Sequence, residues 1–87
     1  MTKKIKENTF EDKFAGKKVK FYRVMKSISR AVLAKKIGVT GPQVRLYELG
    51  QNRMTIGRLC KISEVLEVNV TSFFDPKIIA KKYKNFD

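Results

Sequence analysis

Residues 29–50, SRAVLAKKIGVTGPQVRLYELG, constrain the fold of this 87-residue chain most, because they divide into two short helical segments around one glycine. In the first segment Val32, Leu33, Ala34 and Ile37 recur at helical spacing. Gly38 can take the left-handed conformation that ends a helix, and Val39 can plug the corner. Thr40 opens the second segment. Its hydroxyl can accept from the backbone N–H of Gln43, whose side chain can reach back, so T-x-x-Q reads as a capping box. Pro42 falls in the first turn, where no intrahelical N–H bond is lost. Val44 and Tyr47 share one face, which leaves Gln43, Arg45, Leu46 and Leu49 toward solvent or a ligand.

Charge narrows what that outer face can meet. The chain has 20 Lys and Arg against 8 Asp and Glu, a formal net charge of +12, and no histidine to alter it near neutral pH. Residues 1–36 hold twelve of the basic and three of the acidic side chains. Such an excess favours a polyanion, and double-stranded DNA is the first candidate for a two-helix unit with a tight turn. An anionic membrane is the weaker candidate, since no stretch approaches the roughly 18 to 20 apolar residues of a spanning helix. MTKKIKENTF lacks the apolar core of a signal peptide, so the expected location is the cytoplasm. With one cysteine and no histidine there is no internal disulfide and no zinc set, and Cys60 reads as a small buried hydrophobe. Neither GxGxxG nor a P-loop appears, and paired acids clear of lysines are missing; no enzyme activity, metal or cofactor is expected.

The rest of the chain supplies further helices. Residues 1–8 read as a flexible basic arm and residues 9–75 as the domain. A first helix is predicted from near Thr9, where T-x-x-D offers a cap, to about Ser27. Ala15, Val19 and Tyr22 form its core stripe, flanked by Phe14, Phe21 and Met25, while Lys13, Lys17, Lys20 and Lys26 lie on other faces. Ser29 caps the second helix, and the third runs from about Gly41 to Leu49, stopped by Gly50. Thr55 caps a fourth, whose apolar stripe comprises Ile56, Leu59, Cys60, Ile62, Ser63 and Leu66. Asn69 caps a short fifth, VTSFF, bringing Phe73 and Phe74 onto the core, and Asp75-Pro76 ends it. Residues 76–87 read either as a frayed basic tail or as a sixth, amphipathic C-terminal helix. No segment alternates as a strand does, and the fold class is all-α.

With these elements placed, residues 16–74 resemble the helix-turn-helix domain of the Xre family, which includes phage repressors of the lambda and Cro type. The resemblance rests on GKKVKFYR, VLAKKIGVT, VRLYELG and LCKISEVLEVNVTSFF in order. QVRLYELGQNR followed by SFFD is similar to bacterial single-domain regulators. It implies a compact five-helix, lambda-repressor-like domain that binds DNA with the third helix in the major groove. Arg23 and Glu48 fall where the family often has a partly buried ion pair between the first and third helices. Ala34 matches a small residue where the second and third cross.

The resemblance also divides DNA contacts into those that position and those that specify. Ser29, Arg30, Thr40, Tyr47, Asn52 and Arg53 are the phosphate candidates. Arg30 stands where the family usually has Gln; it can grip phosphate but cannot accept a hydrogen bond. Bases are read from positions that here hold Gly41, Pro42, Arg45 and Leu46. Gly41 has no side chain, Pro42 cannot donate, and Leu46 offers only apolar contact, for instance to a thymine methyl. Gln43 and Arg45 become the readers, of adenine and guanine respectively, each pair worth about 1 to 3 kcal/mol of discrimination. The alternative is that Gln43 only caps its helix and Arg45 only meets phosphate.

The leading expectation is a sequence-specific transcription regulator binding as a homodimer, with Phe73, Phe74, Ile78, Ile79 and Tyr83 as dimer candidates. Two other readings stand beside it: an antitoxin-type DNA-binding protein with a toxin partner, and a nucleoid-associated protein that coats DNA without sequence preference.

Overall fold

Each α-helix of the computed structural model, which describes residues 9–77, begins at a hydroxyl side chain that caps it. The elements are α1 (Phe10–Met25), α2 (Arg30–Ile37), α3 (Gly41–Glu48), α4 (Ile56–Leu66) and a 3-10 turn, Val70–Phe73. Thr9, Ser29, Thr40 and Thr55 accept from the backbone N–H of Asp12, Val32, Gln43 and Arg58 at 3.0–3.2 Å. Each satisfies a donor that the first turn would otherwise leave unpaired. At α1 the box is reciprocal, since Asp12 Oδ2 accepts from Thr9 N–H at 3.0 Å. At α3 it is not. The Gln43 amide turns instead toward the Tyr47 hydroxyl at 3.5 Å, the outer limit of a hydrogen bond.

The turn between α2 and α3 is closed by Gly38 at φ 81°, the left-handed region that a side chain disfavours. Its N–H and that of Val39 both donate to the Ala34 carbonyl, at 2.8 and 2.9 Å. Arg58 of α4 reaches across to the Ile37 carbonyl at 2.5 Å, so the end of α2 is held from a second helix as well.

The core gathers Val19 from α1, Leu33, Ala34 and Ile37 from α2, and Val44 and Tyr47 from α3. Leu59, Ile62 and Leu66 from α4 and Phe73 from the 3-10 turn complete it. Phe73 is fully enclosed and meets the half-buried Tyr22 edge to face at 6.0 Å between ring centres. α3 packs on both α2 and α1, and Ala34 of α2 is buried. Gly16 supplies the close approach of α1 to α3: a Cβ there would collide with the carbonyl oxygens of Tyr47 and Glu48.

Several expectations are corrected. The fifth helix is a four-residue 3-10 turn, too short to close an α-helical ladder. Cys60 and Ile56 are exposed, Ile56 at 80%, because the buried stripe of α4 is Leu59, Ile62, Ser63 and Leu66. Cys60 lies one residue, about 100° of helix rotation, round from Leu59. Phe21 and Met25 do not flank the core but stand out from α1. Phe74 is exposed while its neighbour Phe73 is buried, since the 3-10 turn can aim only one of two adjacent rings inward. The arm 1–8 and the tail beyond Lys77, with Ile78, Ile79 and Tyr83, lie outside the described residues. Among the described residues there is no strand, and no helix is long and apolar enough to cross a membrane.

Candidate nucleic-acid interface

α3 is fixed from inside by a buried ionic cluster. Arg23 of α1 is presented to Glu48 in fork geometry, with Nε to Oε2 at 2.5 Å and Nη2 to Oε1 at 3.2 Å. Its Nη1 donates to the Ile28 carbonyl at 2.9 Å, tying the α1–α2 loop into the same point. Arg30, the first residue of α2, donates Nε to Glu48 Oε1 at 2.9 Å. One carboxylate, its side chain 2% exposed, therefore receives two guanidinium groups. Burial of these charges is compensated by full hydrogen bonding, and no buried side-chain polar atom among the described residues lacks a partner. The cluster links α1, α2 and α3 and sets their mutual angles.

This bears directly on Arg30. Its Nε is committed to Glu48, so it does not stand free as a phosphate side chain; only the rest of its guanidinium, about one-third exposed as a side chain, faces outward. Sequence reading missed the tie because it joins residues 18 positions apart. Arg53 is also engaged, donating Nε to Asp12 Oδ2 at 3.0 Å while remaining about half exposed. Burial by itself raises the Asp12 pKa, but bonds from Thr9 and Arg53 outweigh it and hold the carboxyl below its ordinary value. Tyr47 is only 5% exposed, so its phosphate role is corrected: the ring belongs to the core and its hydroxyl faces Gln43. Ser29 and Thr40 are exposed but spend their hydroxyls as caps. Asn52 is half-buried in the loop, its N–H donating to the Leu46 carbonyl at 3.3 Å.

The outer face of α3 presents exposed Pro42, Arg45 and Leu49, with Gly41, Gln43 and Leu46 half-buried beside them. Arg45 is the one charged side chain of α3 on that face, and it makes no hydrogen bond to another described residue. Gly41 sits close to α2, where a Cβ would lie 4.0 Å from the Ala31 Cα. The face is thus narrow at its N-terminal end and offers one long donor, flanked by apolar groups. Phe73 is withdrawn from the dimer candidates by its burial in the monomer, leaving Phe74 as the described residue free to meet a second copy. Among the described residues, no group of three or more His, Cys, Asp or Glu is placed to hold a metal.

Residues 19–73 match the family model described as helix-turn-helix. The chain is 44% identical over 64 residues to an uncharacterised helix-turn-helix-type transcriptional regulator of Rickettsia conorii, covering 74% of this chain and 51% of that protein. It spans about half the length of the curated relatives it matches. Among solved structures it is similar to the restriction-modification controller protein C.AhdI from Aeromonas hydrophila, with TM-score 0.67 and 25% identity, covering 74% of this chain and 91% of that one. It is similar in fold alone to hydroxypropylphosphonic acid epoxidase from S. wedmorenis, with TM-score 0.70, 24% identity, and coverage of 75% of this chain but 35% of that one.

Proposed function

Because the chain belongs to the helix-turn-helix family, we propose that it is a DNA-binding transcription regulator that reads sequence with the outer face of α3 in the major groove, as a homodimer. One observation carries the reading: Arg45 stands exposed and unengaged on a helix whose opposite face is locked by Glu48 to Arg23 and Arg30. A reader must be both free to meet a base and held at a fixed angle, and α3 meets both requirements. Arg45 pairs with guanine, Gln43 with adenine within the limits of its contact to Tyr47, and Leu46 and Leu49 offer apolar contact to thymine methyls. Ser29, Arg30, Thr40, Asn52 and Arg53 flank the face; their remaining donors, and the backbone amides at the starts of α2 and α3, serve phosphates.

The relatives named as transcriptional regulators and the similarity to a restriction-modification controller protein support this reading. The epoxidase shows that the fold alone does not assign an activity. The homodimer is part of the proposal because a single helix-turn-helix module gains few base contacts, and two half-sites about one helical turn, ~34 Å, apart would double them. The test is sedimentation with and without duplex DNA, combined with competition by random-sequence duplex at fixed salt. A dimer on DNA that resists random competitor supports the reading. A monomer displaced equally well by any duplex points to coating by charge alone.

A further inference from the structure

Between α1 and the C-terminal half of α3 runs an open cleft of about 660 Å³; it shares Arg30, Arg45 and Leu49 with the proposed DNA face, while its α1 wall, Lys13, Lys17, Lys20, Phe21, Val24 and Met25, has no part in the DNA reading. Its floor is apolar: Phe21, Val24, Met25 and Leu49 line it, and they are 50%, 57%, 65% and 47% exposed. Its rim is cationic, formed by Lys13, Lys17, Lys20, Arg30 and Arg45. The one acidic residue that lines it, Glu48, is already neutralised by Arg23 and Arg30. We propose that this cleft is a docking site for an acidic amphipathic helix of a protein partner.

Charge and polarity together select that occupant. The rim alone would suit phosphate, but nucleic acid gives Phe21, Val24 and Met25 of the floor nothing to bury against. A helix with an apolar stripe between rows of carboxylates satisfies both, in the helix-in-groove mode. The chain's own tail is excluded by charge, since residues 77–87, KIIAKKYKNFD, carry four lysines and one aspartate and would meet five cations. A second copy, with a formal net charge of +12, is disfavoured for the same reason. Residues 13–25 of α1 border the cleft over roughly 18 Å at 1.5 Å per residue, the length of about three helical turns. Isolated apolar side chains on a surface are ordinary, but four converging within one cationic border are what a partner surface shows.

The experiment titrates the full chain into a fluorescein-labelled peptide of about four turns, with Leu at one helical face and Glu elsewhere, and reads anisotropy. Two control peptides replace every Leu by Ser or every Glu by Lys. The Leu/Glu peptide is expected to bind about tenfold more tightly than either control. The double variant Val24→Ala with Met25→Ala is expected to weaken it about tenfold with no fall in melting temperature. Neither residue belongs to the DNA face, so duplex affinity of that variant should be unchanged, which separates failure here from failure of the DNA reading. The proposal is overturned if the Ser control binds as well as the Leu/Glu peptide, since charge alone would then explain binding, or if the double variant leaves peptide affinity intact.

Discussion

On its inner face α3 carries Val44, Tyr47 and Glu48, all buried; on its outer face it carries Pro42, Arg45 and Leu49, all exposed. The inner face is over-determined. Glu48 alone receives three hydrogen bonds from two arginines on two other helices, and Gly16 lets the α1 backbone close against the Tyr47 and Glu48 carbonyls. The outer face has no such network: its one charged group is Arg45, and its first two residues, Gly41 and Pro42, bring no side-chain donor. The difference teaches that the orientation of α3 and the chemistry it exposes are separable here. What holds the helix is a buried ionic cluster; what the helix exposes is a thin set of groups that substitution can change without disturbing the fold.

Substitutions on the two faces should therefore differ in which measurement they move. Glu48→Ala is expected to have the largest effect, lowering stability by about 3 to 5 kcal/mol because Arg23 is left buried without its counter-charge. Thermal or urea unfolding reads this, and DNA affinity should fall with it although no DNA contact is removed. A variant that keeps wild-type stability would show that the cluster does not hold the inner face. Gly16→Ala comes next, at about 1 to 3 kcal/mol, since its methyl would push α1 away from the backbone of α3. The same unfolding curves check it, and no change would mean that the close approach relaxes freely.

Arg45→Ala should do the opposite of both. Unfolding is expected to shift by less than about 0.5 kcal/mol, whereas affinity for a selected site should fall by about 1 to 3 kcal/mol with discrimination relaxed at one base pair. A uniform loss across all sequences would move Arg45 from reading to phosphate contact. The smallest effect is at the rim, where Arg53 and Asp12 pair. Because the folded-state pKa of Asp12 is lowered, the pair contributes stability fully present above the ordinary aspartate value of about 3.9 and lost as pH falls through the folded value. Arg53→Ala should raise the Asp12 titration midpoint, read by NMR, and cost at most about 1 kcal/mol near neutral pH. An unmoved midpoint would show that Thr9 alone holds the carboxyl.

Legibility in the sequence followed the range of the interactions. Caps at Thr9, Ser29, Thr40, Thr55 and Asn69 act within one turn, and each was readable from the residue and its spacing. Gly38 was readable for the same reason. The Arg23–Glu48 pair joins residues 25 apart, and only the family resemblance pointed to it. Arg30 to Glu48 and Arg58 to the Ile37 carbonyl were missed, since neither has a local signature. Burial was misjudged where a helix stripe has an edge: Ile56 and Cys60 border the α4 stripe, and Phe73 and Phe74 compete for one inward position. One signal was available and unused. Lys18 has Phe14 four residues before it and Phe21 and Tyr22 three and four after, and its ammonium lies 5.3–5.9 Å from all three ring centres. At α3 the sequence placed the helix and its exposed face, but Tyr47 and Arg30 are drawn inward by partners that only the fold supplies.

Selection of bound sites from random duplex DNA, run in parallel with the wild-type chain and Arg45→Ala, tests most directly the claim that the outer face of α3 reads sequence. The expected result is a palindrome with half-sites about one helical turn, ~34 Å, apart, in which one base pair per half-site loses its preference in the variant. Recovery of no enriched sequence by the wild type, or of the same sequence by both proteins, would contradict it.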